Sequence, residues 1–518
     1  MVKNQQLFQP PKFIANSGTS YETIFEGINS QKAITLDRAS VASILSFGFV
    51  LSDRTIVHEL ERSPWLSSFG SGGNRMLEIP QHGRLHSTPD TISKNLLNLL
   101  LSEAEKACYD KGDIYILLSG GLDSRIVAGV FSMLRDQRRI KNKLIAVSWG
   151  LNDSRDVIYA RKIAQILKLD WEHIPLTPES ILENIGFTSE YMGCMIPPVH
   201  MHKILALRSI AKNSLVVGGS YGDSIGRAEF SGKHLLELNY FIPNDLMSIM
   251  DDQFKMETFE TIHAELLAFR MHTKKKEKYA IAECEQQAHY MRSMLAPTIA
   301  SLNDICHTYQ MFTSKDVYGY MWSLHPAVRN DKIYSELLRR FTGSLLSIPW
   351  ARTNEALDGS REHVAVGARK SFHKYRDWIS NDLFSTINDK IDRDLIHGQN
   401  IFKENALENI VRAIKKQPEG TFQMYDMFTW LASLSNFLKV NQSKLSDQTV
   451  PSKDYSPNRS GMKTSSTLKV FISNRLRIFD NVWVVYILKH LRDKYRLVRK
   501  VYLLAKSYIM YPIEYDNS

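Results

Sequence analysis

The sequence predicts an α/β protein: a parallel sheet with helices on both faces, followed by a mostly helical part. Three observations predict it. From Ile114 onward, short apolar runs alternate with stretches of helical spacing, the order expected of strands joined by crossover helices. Two of those strands empty into glycine-bearing loops, Ser119-Gly-Gly-Leu-Asp-Ser124 and Gly218-Gly-Ser-Tyr-Gly-Asp-Ser-Ile-Gly226. Beyond Phe230 the spacing turns helical, near 246–255, 259–271, 316–321 and 332–341.

The elements follow in order. Ile114–Leu118 reads as a buried strand, and a helix is expected from Arg125 to Met133. A second strand spans Leu144–Trp149. The helix after it, Asp156 to Leu169, places Val157, Ala160, Ile163, Ala164 and Leu167 near one face. Trp171–Leu176 is the third strand, a helix from His200 to Lys212 follows, and Ser214–Val217 is the fourth strand. A Pro/Ser/Asn-rich stretch, 451–460, reads as a linker before a basic tail.

The first loop is built to hold pyrophosphate. Gly120 and Gly121 bare their N–H groups to an anion, and the following helix aims its positive dipole end at the same spot. Ser119 and Ser124 add hydroxyl donors, and Asp123 offers a carboxylate to Mg²⁺ carried on phosphate oxygens. No lysine follows the glycines, which excludes the kinase-type P-loop. The second loop lies at the carboxyl end of another strand, where open parallel sheets bind ligands, so both loops are expected to face one site. Asp123 and Asp223 would then share the metal.

With 518 residues, 43% apolar and 23% charged, the chain has ample material for a core and is neither fibrous nor disordered in composition. It shows no secretory pattern at its start and no apolar run near the roughly 18 residues that span a bilayer, so a cytoplasmic location is the expectation. Cys108, Cys194, Cys284 and Cys306 form no Cys-x-x-Cys pair, which argues against a zinc ribbon and for reduced thiols. His200 with His202, and Cys306 with His307, lack further ligands nearby and read as incidental. The net charge of +10 is concentrated toward the end of the chain. There an apolar stripe, Val482–Leu488, precedes Lys489, Arg492, Lys494, Arg496, Arg499 and Lys500. This is expected to be a packed helix with a solvated face, or a surface for an acidic partner or membrane.

These residues resemble the ATP-pyrophosphatase (HUP-type) family, and within it the asparagine synthetase class. Ser119–Ser124 matches its SGGxDS loop, and Gly219 with Asp223 is similar to its GEGxDE loop. Asp156, Ala160, Arg161, Ile163 and Ala164, followed by His173, resemble its second strand and helix. Trp322–Pro326 with Arg329, and Ile348–Asn354 ahead of Asp358 and Gly359, resemble its helical part. The resemblance spans roughly Lys111 to Gly359. Phe47–Thr55 and Leu60–Pro64 resemble the end of the family's glutaminase domain, but Val2 stands where the nucleophilic Cys is required. The implied organisation is a truncated, degenerate glutaminase-like β-rich region (1–100), a synthetase domain (101–370), a helical extension (371–450) and a basic helical tail (461–518).

The resemblance implies an AMP-forming amide ligase that uses ATP and Mg²⁺ and works through an acyl-adenylate, without glutaminase activity of its own. Ser119, Gly120, Gly121 and Ser124 would hold pyrophosphate; Asp123 and Asp223 would hold the metal. Leu117, Val147, Gly218 and Gly219 would border the nucleotide. The family's second-loop acids correspond to Ser220 and Ser224, and its lysine to Thr353, so Arg352 is the expected catalytic cation together with Asp223. The implied partners are a small-molecule, glycan or peptide carboxylate and ammonia or an amine; free aspartate, hence asparagine biosynthesis, is the narrower case. Nucleic acid is not expected, because the loop lies over a hundred residues into the chain, unlike in the tRNA-modifying relatives that form one alternative. A non-catalytic ATP-binding descendant is the other.

Overall fold

The computed structural model of the protein describes residues 12–70, 73–76, 81–227, 240–273, 277–416 and 422–446. The expected linker at 451–460 and the basic tail at 461–518 lie outside the described residues. The chain begins with a small antiparallel sheet of order β2-β1-β3, formed by β1 (Phe13–Ala15), β2 (Ser20–Tyr21) and β3 (Leu60–Arg62). Helices α1 (Ile24–Ser30) and α2 (Arg38–Phe47) intervene, and a hairpin of β4 (Ser67–Gly70) and β5 (Gly73–Met76) follows. Helix α1 starts at a capping box, in which Thr23 and Glu26 bond each other's backbone N–H groups. Next comes α3 (Pro89–Cys108), capped by Thr88. It runs through residue 100, the expected end of the N-terminal region.

The central sheet has five strands: β6 (Ile114–Leu117), β7 (Leu144–Gly150), β8 (Asp170–Pro175), β9 (Leu215–Gly218) and β10 (His307–Gln310). Their order is β10-β9-β6-β7-β8 and every pairing is parallel. Helices α4 (Leu122–Asp136), α5 (Arg155–Ile166) and α6 (Glu179–Glu190) alternate with the strands. Side chains of β7 divide by parity: Leu144 and Ala146 join the core shared with α3, α4 and α5, while Ile145 and Val147 enter a smaller one with Met201, Ile204 and Val216. The protein is therefore α/β, with both sheet faces covered.

Local departures from the sequence expectations have physical reasons. Helix α4 starts at Leu122, not Arg125, because Gly121 serves as its N-cap. The expected helix His200–Lys212 is instead two short 3₁₀ turns, Pro198–Met201 and Ile204–Ser209, with His202 between them at φ 47°. The helix expected from Leu246 begins only at Asp252, as α7 (Asp252–His272), after Ser248 at φ 52° and the capping carboxylate of Asp251. Strand β10 was not anticipated.

Helices α8 (Asp331–Phe341) and α9 (Phe422–Val440) complete the elements that matter for the site and its support. A further buried cluster joins both ends of the described chain: Ile34, Val41 and Phe49 pack with Phe254 of α7 and with Trp430 and Leu434 of α9. Within it the buried Arg54 pairs with Asp37 and with Glu265. All four cysteines are free thiols and buried. Among the described residues no helix is long and apolar enough to cross a membrane.

Candidate functional site

Strand β6 has β7 on one side and β9 on the other, so the chain's order reverses there, a switch point of the kind beyond whose strand ends open parallel sheets have a ligand crevice. The SGGLDS loop leaves β6 into this crevice. Gly120 backs onto α5: a Cβ there would stand 2.8 Å from Ala351 Cβ and 3.2 Å from the Arg155 carbonyl oxygen, so no larger residue fits. Gly121 caps α4 with its backbone alone, leaving the first-turn N–H groups without a side-chain cap. The two serines tie the loop together. Ser119 N–H donates to Ser124 Oγ (3.1 Å), Ser124 Oγ donates to the Ser119 carbonyl (3.2 Å), and Gly121 N–H donates to Ser119 Oγ (3.1 Å).

The second loop packs directly on the first. A Cβ at Gly219 would lie 3.0 Å from Ser124 N and 3.1 Å from the Asp123 carbonyl carbon; one at Gly222 would lie 2.6 Å from Asp123 Oδ1. The turn is tight enough to hold Tyr221 at φ 75°, a left-handed conformation that disfavours a side chain. Full burial of its ring and a bond from its hydroxyl to the Met291 carbonyl (3.1 Å) offset that cost. A π-helical turn, Gly222–Gly226, then carries Asp223. Asp223 is half-buried, and Tyr334, whose pKa burial raises, lies in the fields of both Asp123 and Asp223. Tyr334 Oη also donates to the Gly222 carbonyl at 2.9 Å.

Leu117 and Val147 are paired neighbours on β6 and β7, and Gly218 ends β9 beside Gln310. Thus Leu117, Val147, the Ser119–Ser124 loop, Gly218, Gly219 and Asp223 all lie at one edge of the sheet. Arg352 arrives from farther along the chain. Ala351 N–H donates to the Gly120 carbonyl (3.1 Å), which sets the exposed Arg352 beside the loop, its guanidinium 5.4 Å from the Trp350 ring centre. Thr353 is exposed next to it.

Three residues to which the sequence assigned no role in the site also shape it. Arg125, fully buried in the first turns of α4, donates to the carbonyls of Leu345 (3.0 Å), Ile348 (2.8 Å) and Pro349 (3.0 Å), and to Gly120 (3.3 Å). It therefore fastens the segment bearing Arg352 to the loop. Burial lowers its pKa to about 10, still charged at neutral pH. Asp156, at the start of α5, accepts from the Gly120 N–H, and burial pushes its carboxyl up to about 6.

The third is Arg227. Its Nε donates to Asp123 Oδ1 (3.2 Å), Nη2 to Asp123 Oδ2 (3.1 Å) and Nη1 to Asp331 Oδ1 (2.9 Å). The guanidinium also lies 5.3 Å from the Trp350 ring centre and 5.5 Å from that of Tyr334. Burial works against its charge, but Asp123, Tyr334 and Asp331 outweigh burial and raise its pKa. The only sequence signal was a basic residue directly after the second glycine loop.

The expected magnesium pair does not fit this arrangement as a resident metal site. Both oxygens of Asp123 already accept from a guanidinium, where a metal ligand would present them to the ion. Among the described residues no group of three or more His, Cys, Asp or Glu is placed to hold a metal ion.

A parallel sheet with a glycine loop at its switch point, facing a helix start that has no side-chain cap, is the arrangement in which α/β proteins commonly bind nucleotides. The asparagine synthase family matches residues 96–223, a span that includes both glycine loops. Over that stretch the chain is similar to the asparagine synthase family, and the remainder of the chain lies outside the match. No curated protein matches the chain. Among solved structures, NMN synthetase from Francisella tularensis is 18% identical, over 28% of this chain and 60% of that one, with a TM-score of 0.20, a likeness too slight to bear on function.

Proposed function

We propose that the protein is an AMP-forming carboxylate–amine ligase that works through an acyl-adenylate and takes its nitrogen from ammonia or an amine. A carboxylate oxygen attacks the α-phosphorus of ATP and the bond to the β-phosphate oxygen breaks, releasing pyrophosphate. The amine then attacks the acyl carbon, AMP leaves with the bonding electrons, and the surplus amine proton passes to solvent.

The observation that carries this reading is the direct packing of Gly219 and Gly222 on Ser124 and Asp123, which makes one crevice of two loops at the switch point. In it the α4 N-terminus favours the departing pyrophosphate, and Arg352 supplies a fixed positive charge beside the loop. Such a reaction depends mainly on positioning and charge neutralisation. ATP–pyrophosphate exchange that depends on the added carboxylate, with AMP formed only when an amine is also present, is the expected result across a panel of carboxylates. Tight ATP binding without exchange or AMP supports a second reading, a nucleotide-binding descendant. The engagement of Asp123 by Arg227 and the presence of Ser220, Ser224 and Thr353 favour that reading.

A further inference from the structure

Asp123 is the residue on which a metal-dependent version of this loop would turn, and Arg227 grips it in a fork. The two N–H···O bonds to one carboxylate have the parallel geometry in which a guanidinium discriminates most sharply. Asp331 holds the same guanidinium from another side, and Asp331 is itself fixed in the first turn of α8, behind the Asn330 cap. The rings of Trp350 and Tyr334 complete the enclosure, leaving the Arg227 side chain only 5% exposed.

We infer that Arg227 is a built-in counter-charge of this loop: it takes, at Asp123, the place a divalent cation would need, so that a bound triphosphate meets a carboxylate already neutralised by this guanidinium rather than by a metal held between Asp123 and Asp223. A magnesium ion binds carboxylate oxygen at about 2.1 Å. At Asp123 that position would set a doubly charged ion against a guanidinium, whose proton is not lost in proteins. The repulsion is relieved only if Arg227 gives up Asp123, Asp331 and both aromatic rings together. Asp123 is thereby a positioning residue for Arg227, and any magnesium reaches the site on the nucleotide, as part of the substrate.

The inference rests on the reading of the crevice as an ATP site, so its primary test uses no nucleotide. Mn²⁺ is titrated into the full chain and followed by electron paramagnetic resonance. The wild-type protein is expected to show no Mn²⁺ site tighter than about 1 mM. Arg227→Met is expected to gain one at least about tenfold tighter, which the added change Asp123→Asn removes. Arg227→Gln serves in its place if the first variant does not fold, as judged by circular dichroism. Wild-type Mn²⁺ binding that Asp123→Asn abolishes, or a folded charge-free variant that gains no site, overturns the inference. A second arm measures ATP binding by calorimetry in EDTA and in Mg²⁺. Wild-type affinities within about threefold of each other support the built-in charge, as does an Arg227→Met protein that binds only with Mg²⁺. Wild-type binding that requires Mg²⁺ counts against it. If ATP binds under neither condition, the nucleotide reading fails, while the Mn²⁺ result still decides whether Arg227 and a metal compete for Asp123.

Discussion

Gly222→Ala tests whether the two loops meet as described. The new Cβ would stand 2.6 Å from Asp123 Oδ1, 2.8 Å from its Cγ and 2.7 Å from its Cβ. Rotating the Asp123 side chain moves the first two atoms but not the third, which shifts only with the backbone of α4. Either that helix start or the second loop must recede, and overpacking of this kind costs about 1–3 kcal/mol. If the carboxylate also leaves Arg227, each charge-assisted hydrogen bond lost adds about 1.5–3 kcal/mol. Thermal melting reads this poorly. At about 2.1 cal/mol/K of unfolding entropy per residue, a chain of 518 residues loses only about 2 °C for 2 kcal/mol. Urea unfolding, with a lowered midpoint at unchanged slope, together with calorimetric ATP binding weakened at least about tenfold, is the appropriate assay. Gly343→Ala is the control: its backbone is already helical and nothing lies within 4 Å of the added carbon, so it is expected to be neutral or slightly stabilising. Wild-type urea midpoint and wild-type ATP affinity in Gly222→Ala would refute the juxtaposition of the loops.

Arg125→Met removes the donors to four carbonyls and is expected to lower stability by about 3 kcal/mol, since several buried acceptors are left unmet; limited proteolysis should then cut first between 345 and 354. Asp156 has a folded-state pKa of about 6 against 3.8, so its stabilising contribution is fully present below about 3.8 and is lost as pH rises through about 6. Asp156→Asn should therefore be more stable than wild type at pH 8 and equal to it at pH 4 in urea titrations. His202 and His289 are buried, and burial pushes each down to about 3 from 6.5. Their contributions are complete above about pH 6.5 and fall away on acidification, by about 1.4 kcal/mol per pH unit for each. His289→Leu should flatten the loss of stability measured between pH 6.5 and 4.

The sequence revealed most where chemistry and local structure coincide. An apolar strand, a glycine pair and a helix start had to adjoin at Ile114–Ser124, and the second glycine loop had to follow the Leu215–Gly218 strand, because glycine tolerates the close approach of one backbone to another. Strand β10 was illegible because His-Thr-Tyr-Gln carries no apolar run; His307 is a strand residue through its pairing opposite Leu215 at the edge of the sheet. The 200–212 stretch has helical spacing, but Pro197 and Pro198 fix its entry and His202 breaks its course. Arg227 was illegible for a different reason. Its partners Asp123 and Asp331 each lie 104 positions away, and only the completed fold brings them together. Arg125 reads in the sequence only as the start of a helix, and its burial follows from a segment more than 200 positions later.

The cluster that joins Ile34 and Phe49 to Trp430 and Leu434 has a consequence for how the chain emerges during synthesis. The Ile34 N–H donates to the Lys444 carbonyl at 2.8 Å, so that core cannot close until more than four hundred intervening residues have been made. Partners so distant in sequence slow folding and leave early apolar segments waiting. The segment from Phe13 to Leu60 is therefore the stretch that a chaperone would shelter on a nascent chain, and a ribosome stalled before α9 would display it uncovered.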